Sequence, residues 1–241
     1  MLLVPFDKPV VSGRLLRRYQ RFFVDVVLDD SGARITAHTA NTGAMTGLVD
    51  DNARVLLTHH TGTKRKLPYE LEAVFVHGAW VSVNTGTANA FAAQAVAAGL
   101  VDELAGYSVV RREVSPSKQS HSRFDLCLEQ HPVRPGPCFV EVKSVTLAHG
   151  ARALFPDAVT ERGKKHLDAL ARLAKKGRRA AMLYVNKRAG CSSFAPARAI
   201  DPVYARALKS AARAGVEILC ASCAVDERGL SFAGRLAVEL S

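Results

Sequence analysis

The sequence predicts an α+β protein of two domains, an N-terminal β-barrel over residues 1–83 and a C-terminal α/β domain with a mixed sheet over residues 84–241. Short runs of β-forming residues, separated by turn signals, fill the first third of the chain. From about residue 84 such runs alternate with helical patterns, which is typical of an α/β sheet. Because no Pro- or Ser-rich linker separates the two patterns, we expect the domains to pack tightly.

Five short strands are predicted in the first domain. The first covers residues 22–28 (FFVDVVL) and ends at the turn-forming sequence Asp-Asp-Ser-Gly. The other four are predicted over residues 34–39, 54–60, 67–76 and 80–83. Alternation in the fourth strand places Tyr69, Leu71, Ala73 and Phe75 on one face. Five antiparallel strands of this length favour an OB-like β-barrel.

Basic and aromatic residues are interleaved at two places in this domain. One group consists of Arg14, Arg17, Arg18 and Arg21 with Tyr19, Phe22 and Phe23, and the other of Lys64, Arg65 and Lys66 beside Tyr69. Small barrels bind single-stranded nucleic acid with such basic grooves and aromatic platforms. Alternatively, the rings belong to the core and the arginines are only solvated. Both interpretations are open from the sequence.

The second domain begins with an Ala-rich helix predicted over residues 87–98, which Gly99 ends. The remaining strands are predicted at residues 107–114, 124–129, 139–145, 180–185 and 216–221, and the remaining helices at 160–176 and 202–214. Thr160 is the predicted N-cap of its helix, with Glu161 in the first turn. This succession predicts a mixed sheet with helices packed on it.

The predicted strand over residues 139–145 contains Glu141 and Lys143, two residues apart and therefore on one face. A carboxylate and an ammonium on an apolar strand are costly to bury unless they pair or take part in chemistry. Asp125 lies on the preceding predicted strand. An acid on one strand, followed by Glu-x-Lys on the next, is the arrangement of metal-dependent nucleases of the PD-(D/E)xK type.

Such a site would hydrolyse phosphodiesters with a divalent cation, which polarises the phosphate and lowers the pKa of the attacking water. Mg²⁺ or Mn²⁺ is predicted, with Asp125, Glu141 and the carbonyl of Val142 as ligands, because Mg²⁺ prefers oxygen and takes few protein ligands. Lys143 would orient or deprotonate the water, or stabilise the phosphate. The alternative is a purely structural ion pair between Lys143 and either acid.

The chain has a net charge of +11 and a pI near 9.7, which favours nucleic acid as a partner, with an acidic membrane surface as the alternative. Residues 162–188 contain ten Lys and Arg against one acid. Arg162, Lys164 and Lys165 in this segment, and Arg123 beside the first acid, are predicted phosphate contacts. A basic helix face that is merely solvated is the competing interpretation.

Several other classes of protein are disfavoured. No apolar run approaches the about 18 residues of a membrane helix, and the N-terminus has no signal-peptide pattern. Five scattered Cys predict reduced thiols in a cytoplasmic protein, and the lone C-x-x-C at residues 220–223 is a poor zinc site. The chain has neither a G-x-S-x-G elbow nor a G-x-x-x-x-G-K-[ST] phosphate loop, so serine esterase and ATPase chemistry are disfavoured.

Short specific sequences along the whole chain carry a family resemblance. They include Asn41-Thr-Gly-Ala-Met-Thr-Gly, Ser122-Arg-Phe-Asp, Phe139-Val-Glu-Val-Lys-Ser-Val-Thr-Leu, Phe155-Pro-Asp-Ala-Val-Thr-Glu-Arg-Gly and Lys165-His-Leu. In these the chain closely resembles the sugar fermentation stimulation protein A family of bacteria and archaea. The resemblance implies an OB-like domain followed by a PD-(D/E)xK nuclease-like domain, non-specific DNA binding, and a regulatory role in maltose metabolism.

The same resemblance implies roles for individual residues. Asp125 matches the family's first acid, and Glu141 and Lys143 match its Glu-x-Lys. Asp157 and Glu161 are implied as further residues lining the site. Many nucleases of this superfamily add an acid from the first helix, and the helix predicted over residues 87–98 contains none.

Two functions are therefore expected. The first is a sequence-non-specific DNA-binding protein, with a regulatory role, whose nuclease-like domain serves for binding. The second is an active Mg²⁺-dependent endonuclease of DNA or RNA. An RNA-processing factor is a third interpretation, because an OB-like barrel suits single strands of either kind.

Overall fold

The computed structural model describes residues 3–62, 65–116 and 123–240. Lys64, one of the predicted nucleic-acid contacts, lies outside these residues. Within them, no helix combines the length and the apolar character needed to cross a membrane.

The N-terminal third of the chain forms the predicted OB-like barrel. After a short strand β1 (Leu3–Pro5), its strands are β2 (Val10–Tyr19), β3 (Phe23–Leu28), β4 (Arg34–His38), β5 (Arg54–His59), β6 (Tyr69–Val76) and β7 (Ala79–Ser82). The sheet order is β4-β3-β2-β5-β6-β7, and a further pairing of β4 with β6 closes five strands into a barrel. Its interior contains Leu15, Val24, Val26, Leu57 and Leu71.

Two features of the barrel differ from the sequence prediction. Strand β2, which contains Arg14, Arg17 and Arg18, was not predicted, because charged residues interrupt its apolar alternation. In β6 the register shifts at Glu72, since Leu57 pairs with Leu71 and Leu56 with Ala73. The predicted single face of β6 is therefore wrong, because a bulge reverses the side-chain alternation beyond it.

The C-terminal domain is built on a seven-stranded mixed sheet, as predicted. Its strands are β8 (Val109–Val114), β9 (Phe124–Glu129), β10 (Cys138–Val145), β13 (Arg179–Asn186), β15 (Glu217–Asp226) and β16 (Gly229–Arg235), in the order β1-β16-β15-β13-β10-β9-β8. Strands β10, β13 and β15 are parallel, and the other pairings are antiparallel. Strand β1 precedes the barrel in the chain but pairs with this sheet, which differs from the predicted division at residue 83.

Three α-helices cover the two faces of this sheet. Helix α1 (Gly86–Ala97) packs on one face through Ala88, Phe91 and Ala95, and a short 3₁₀ helix (Asp102–Leu104) follows it. Helices α2 (Glu161–Lys175) and α3 (Pro202–Arg213) pack together on the other face. The predicted N-cap of α2 is confirmed, since the hydroxyl of Thr160 accepts a hydrogen bond from the Gly163 amide at 3.0 Å.

A second, four-stranded sheet lies beyond the carboxyl end of β10. It contains β11 (Leu147–His149), β12 (Arg152–Phe155), β14 (Ser193–Pro196) and β17 (Ala237–Val238), in that order. The chain passes from β10 through the β11–β12 hairpin and then through residues 156–160 into α2. This path returns the start of α2 to the strand that carries the Glu-x-Lys sequence.

Candidate functional site

Glu141 and Lys143 project from β10 into the space beneath α2. Glu141 is buried, with 2% of its side chain exposed, and Lys143 is 15% exposed. The Lys143 ammonium donates to Glu141 Oε1 at 2.5 Å. Because residues two apart on a strand share a face, this contact follows directly from the sequence spacing.

His166 joins this pair from helix α2. Its Nδ1 contacts Glu141 Oε1 and lies 3.2 Å from the Lys143 ammonium. Gly163, one turn earlier in the helix, is buried, and an added Cβ there would lie 3.0 Å from the ring of Tyr204. This close approach holds the first turn of α2 against the domain, and it leaves His166 over the carboxylate.

Asp125 on β9 lies beside the same group. Its Oδ2 accepts a hydrogen bond from the Val142 amide at 2.7 Å, and its Oδ1 accepts one from the Asn89 side chain of α1 at 2.8 Å. The amide and the carbonyl of a strand residue point to the same side, so the Val142 carbonyl is directed toward Asp125. Asn89 thus connects helix α1 to the Asp125 carboxylate.

The two acids respond differently to their surroundings. Burial raises the pKa of Asp125, and the negative charge of Glu141 raises it further. Burial also acts to raise the pKa of Glu141, but the hydrogen bond with His166 and the charge of Lys143 outweigh it, so the pKa is lowered. Glu141 is therefore held as a buried carboxylate.

The two oxygens of this carboxylate differ in their hydrogen bonding. Glu141 Oε2 is buried and has no hydrogen bond to any described residue. No group of three or more His, Cys, Asp and Glu among these residues has the geometry of a metal site. Two carboxylates and a carbonyl, completed by water, nevertheless fit Mg²⁺, which keeps several waters and uses one or two carboxylates. The unpaired oxygen provides the coordinating position that such an ion requires.

These side chains form the floor of a cleft of about 390 Å³ between the two domains. One wall is the barrel segment Asn41, Thr42 and Gly43, and the others include the start of α1 and the start of α2. Asp157 lines the cleft, as the resemblance implied. Glu161 is exposed at the first position of α2 and is not among the lining residues.

The predicted nucleic-acid contacts are spread over the surface rather than grouped. Arg162 lines the cleft, Lys165 is exposed, and Lys164 pairs with Asp168 at 2.7 Å. The remaining exposed positions are Arg14, Arg17, Arg21, Arg65, Lys66 and Arg123. Of these, Arg17 pairs with Asp25 at 2.7 Å and Arg65 with Glu70 at 3.1 Å.

Arg18 differs from the other predicted contacts because it is turned inward. Its guanidinium donates to the carbonyl oxygens of Arg21, Asn41, Gly43 and Ala44 at 2.8–3.2 Å. These bonds hold the two terminal nitrogens against the barrel, while Nε is buried without a hydrogen-bond partner among the described residues. The role of Arg18 as a nucleic-acid contact stays a prediction.

Two family models match consecutive parts of the chain. Residues 16–83 match the model described as the SfsA N-terminal OB domain, and residues 86–229 match the model described as the sugar fermentation stimulation protein RE domain. The chain belongs to the sugar fermentation stimulation protein (SfsA) family. The family resemblance inferred from the sequence is thereby confirmed.

Relatives of this family match over nearly the full length. A sugar fermentation stimulation protein homolog of Thermosynechococcus vestitus is 48% identical, over 94% of this chain and 93% of its own. A homolog of Paramagnetospirillum magneticum is 46% identical over 98% of both chains. The solved structure of Pyrococcus furiosus SfsA in complex with Ca²⁺ matches with a TM-score of 0.88 and 29% identity, over 99% of each chain.

Sequence reasoning missed two residues of the SfsA site. His166 lies within the sequence Lys165-His-Leu, which carried the family resemblance, but no local pattern connects it with a strand 25 residues earlier. Asn89 escapes a prediction based on acidic ligands, because it contributes an amide and not a carboxylate. A polar residue in an otherwise Ala-rich helix, at its cleft-facing end, was the available signal for Asn89.

Proposed function

We propose that this protein binds nucleic acid and hydrolyses its phosphodiester bonds with a divalent cation, Mg²⁺ or Mn²⁺, held by Asp125 and Glu141. The observation that carries the proposal is the Glu141 carboxylate. It is 2% exposed, lies beside a second, half-buried acid, and has one oxygen without a hydrogen-bond partner among the described residues. A buried, unpaired carboxylate oxygen is costly unless a cation or water completes it.

A structural ion pair accounts for only part of this arrangement. The Glu141–Lys143 contact gives Oε1 a hydrogen-bond donor. It accounts neither for Oε2, which has no hydrogen-bond partner among the described residues, nor for the adjacent Asp125. Burial is the main cause of the raised pKa of Asp125, and repulsion by the neighbouring carboxylate of Glu141 is the second cause. Placement of both acids at the floor of an open cleft favours a ligand set over a stabilising pair.

Each side chain has a distinct role in the proposed reaction. When bound, the cation would polarise the phosphate and lower the pKa of the attacking water. Asn89 orients Asp125, and His166 orients Glu141, through the hydrogen bonds already described. The Lys143 ammonium lies at the cleft side of Glu141 and is placed to orient the water or to stabilise charge on the phosphate.

A positive surface beside the cleft supports binding to a phosphate backbone. Residues 160–214 contain 14 Lys and Arg against three acids. Helix α2 begins at the cleft and packs against α3, so exposed Lys165, Arg172, Lys175, Arg206 and Arg213 extend the positive surface away from the acids. Polyanion binding through such contacts does not depend on base sequence.

Binding without cleavage is the second candidate function. The observation that favours it is the extent of the basic surface, which continues along α3 beyond the reach of the cleft. Non-specific DNA binding of this kind would be the basis of a regulatory role in sugar metabolism, to which the name of the relatives refers. The Ca²⁺ in the P. furiosus SfsA complex supports a divalent cation, and the type of ligand favours Mg²⁺ or Mn²⁺ for chemistry.

The experiment is a cleavage assay on supercoiled plasmid, single-stranded DNA and RNA, with Mg²⁺, Mn²⁺ or EDTA. We expect cutting that requires metal and that Glu141→Gln lowers by about 1,000-fold. Glu227→Gln is the matched control, because Glu227 is exposed in the turn between β15 and β16. Absence of cutting for every substrate and metal would contradict the nuclease and leave the binding function.

A further inference from the structure

A loop of the barrel reaches across to the nuclease-like domain. This docking loop, residues 41–45, follows β4 and is held from the barrel side by Arg18. The guanidinium of Arg18 donates to the carbonyl oxygens of Asn41 at 2.8 Å and of Gly43 at 3.0 Å. Within the loop, the Asn41 side chain accepts a hydrogen bond from the Gly43 amide at 2.8 Å. The loop is therefore fixed in shape by its own domain.

The C-terminal domain holds the other side of the docking loop. Asp157 Oδ2 accepts a hydrogen bond from the Met45 amide at 3.1 Å, and Met45 is fully buried. The loop approaches so closely that a Cβ added at Gly43 would lie 2.6 Å from Asp157 Oδ2. Thr85, at the domain junction, donates to the carbonyl of Ala40 at 3.2 Å. Only glycine fits at position 43 in this arrangement.

The docked loop changes the shape of the site. Asn41, Thr42 and Gly43 line the cleft opposite Glu141, so the acids lie at the bottom of a slot with walls from both domains. Phosphates of a duplex lie on a stiff cylinder, whereas a single strand can bend into a narrow cleft. The cleft volume of about 390 Å³ is within the range of small-ligand pockets, on the order of 300–1,000 Å³.

We infer that this cleft admits one unpaired strand, of DNA or RNA, and excludes an intact duplex, and that the docking loop is the element that sets this specificity. The inference rests on the proposed function and specifies its substrate. Duplex still binds the basic surface of α2 and α3, which is open to solvent. Binding and occupancy of the cleft are therefore separate properties of the protein.

Occupancy of the cleft is measured with a cysteine at Thr42, which is exposed at its rim. Four of the five native cysteines are buried, and Cys191→Ser removes the partly exposed one. The rate at which N-ethylmaleimide alkylates Thr42→Cys is followed in Ca²⁺ with single-stranded DNA, single-stranded RNA or a blunt hairpin duplex. We expect either single strand to slow alkylation about tenfold and saturating duplex to leave it unchanged.

Protection by duplex equal to that by single strands, or protection by neither, would overturn the inference. Because alkylation needs no cleavage, this outcome is separate from failure of the nuclease proposal. Protection by single-stranded DNA alone, or by RNA alone, would support the specificity for unpaired strands. It would also show whether the cleft accepts deoxyribose or ribose.

Loosening the docking loop tests its role directly. Asp157→Ala removes the acceptor for Met45, and Gly43→Ala forces the loop away from Asp157. In both variants we expect duplex to slow alkylation at position 42, reducing the tenfold preference to about twofold or less. Asp51→Ala is the matched control, an exposed carboxylate in the same domain. A preference unchanged in both folded variants would exclude the loop as the specificity element.

Discussion

Two groups in this protein each contain a buried glutamate and a lysine, and they differ in how their polar atoms are satisfied. The cleft group consists of Glu141 and Lys143, together with Asp125 and His166. The interface group consists of Glu72 on the barrel and Lys187 after β13, joined by Asn84 at the domain junction. Both groups are costly to bury, and the first lines a cleft.

The interface group satisfies its polar atoms internally. Lys187 is fully buried and donates to the carbonyl of Asn84 at 2.6 Å and to the hydroxyl of Thr87 at 2.8 Å. Glu72 accepts hydrogen bonds from Thr58 at 2.9 Å and from the Asn84 side chain at 3.0 Å. Burial raises the pKa of Glu72 to about 7 and lowers that of Lys187 to about 8.

The difference between the groups lies in their unused bonding capacity. The interface group joins the two domains through a closed set of hydrogen bonds, whereas the cleft group leaves Glu141 Oε2 without a partner among the described residues. Residue type alone does not mark a catalytic site. The proposed function depends on the unpaired oxygen at the cleft, because a substrate or a cation would complete the set there.

The largest expected effect is the loss of cleavage when the cleft lysine is replaced. Lys143→Met should lower metal-dependent cleavage by about 100-fold or more, since it removes the ammonium that donates to Glu141 at the cleft. The melting temperature should also fall, because the buried Glu141 carboxylate loses an ion-pair partner. Kinetic assay and thermal unfolding measure the two quantities. Lys8→Met, between β1 and β2, is the control, and equal loss in both variants would remove the distinction.

The next largest effect is the pH dependence of stability that the interface residue Glu72 causes. Glu72 has a folded-state pKa of about 7 against an ordinary value of 4.5, so the folded state binds the proton more tightly. Its contribution to stability is full below pH 4.5 and is lost as the pH rises through 7. Relative to Glu72→Gln, the wild-type free energy of unfolding should fall by on the order of 3 kcal/mol from pH 4.5 to 8.

Urea unfolding at several pH values measures this change for both proteins. Glu227→Gln, which alters an exposed carboxylate, should give a curve parallel to the wild type. If the curve of Glu72→Gln also runs parallel to the wild type, Glu72 ionises normally in the folded state, and burial does not raise its pKa.

The smallest expected effect concerns the basic surface next to the cleft group. Lys165→Ala should weaken binding to all nucleic-acid sequences about equally and reduce the slope of log Kd against log salt by about 1. Titrations of labelled DNA at several salt concentrations measure this slope. Lys8→Ala should leave it unchanged, and a sequence-selective loss for Lys165→Ala would argue against contact with the phosphate backbone.

Local chemistry in the sequence determined much of this protein. The strand alternation, the Thr160 cap and the two-residue spacing of Glu141 and Lys143 fixed an OB-like barrel, a mixed sheet and the shared face of the acid–lysine pair. These features depend on residues close in the chain. Strand β2 was missed because its exposed arginines mask the alternation that the barrel interior imposes on it.

Tertiary structure alone decided which of these residues meet. His166 and Asn89 reach the acids from two helices on opposite faces of the sheet, and Arg18 turns from the surface into the docking loop. No local pattern encodes such contacts, because they arise when separate elements pack and each buried polar group takes the partner within reach. The same packing leaves Glu141 Oε2 without a hydrogen-bond partner among the described residues, and it surrounds the Lys187 ammonium with acceptors.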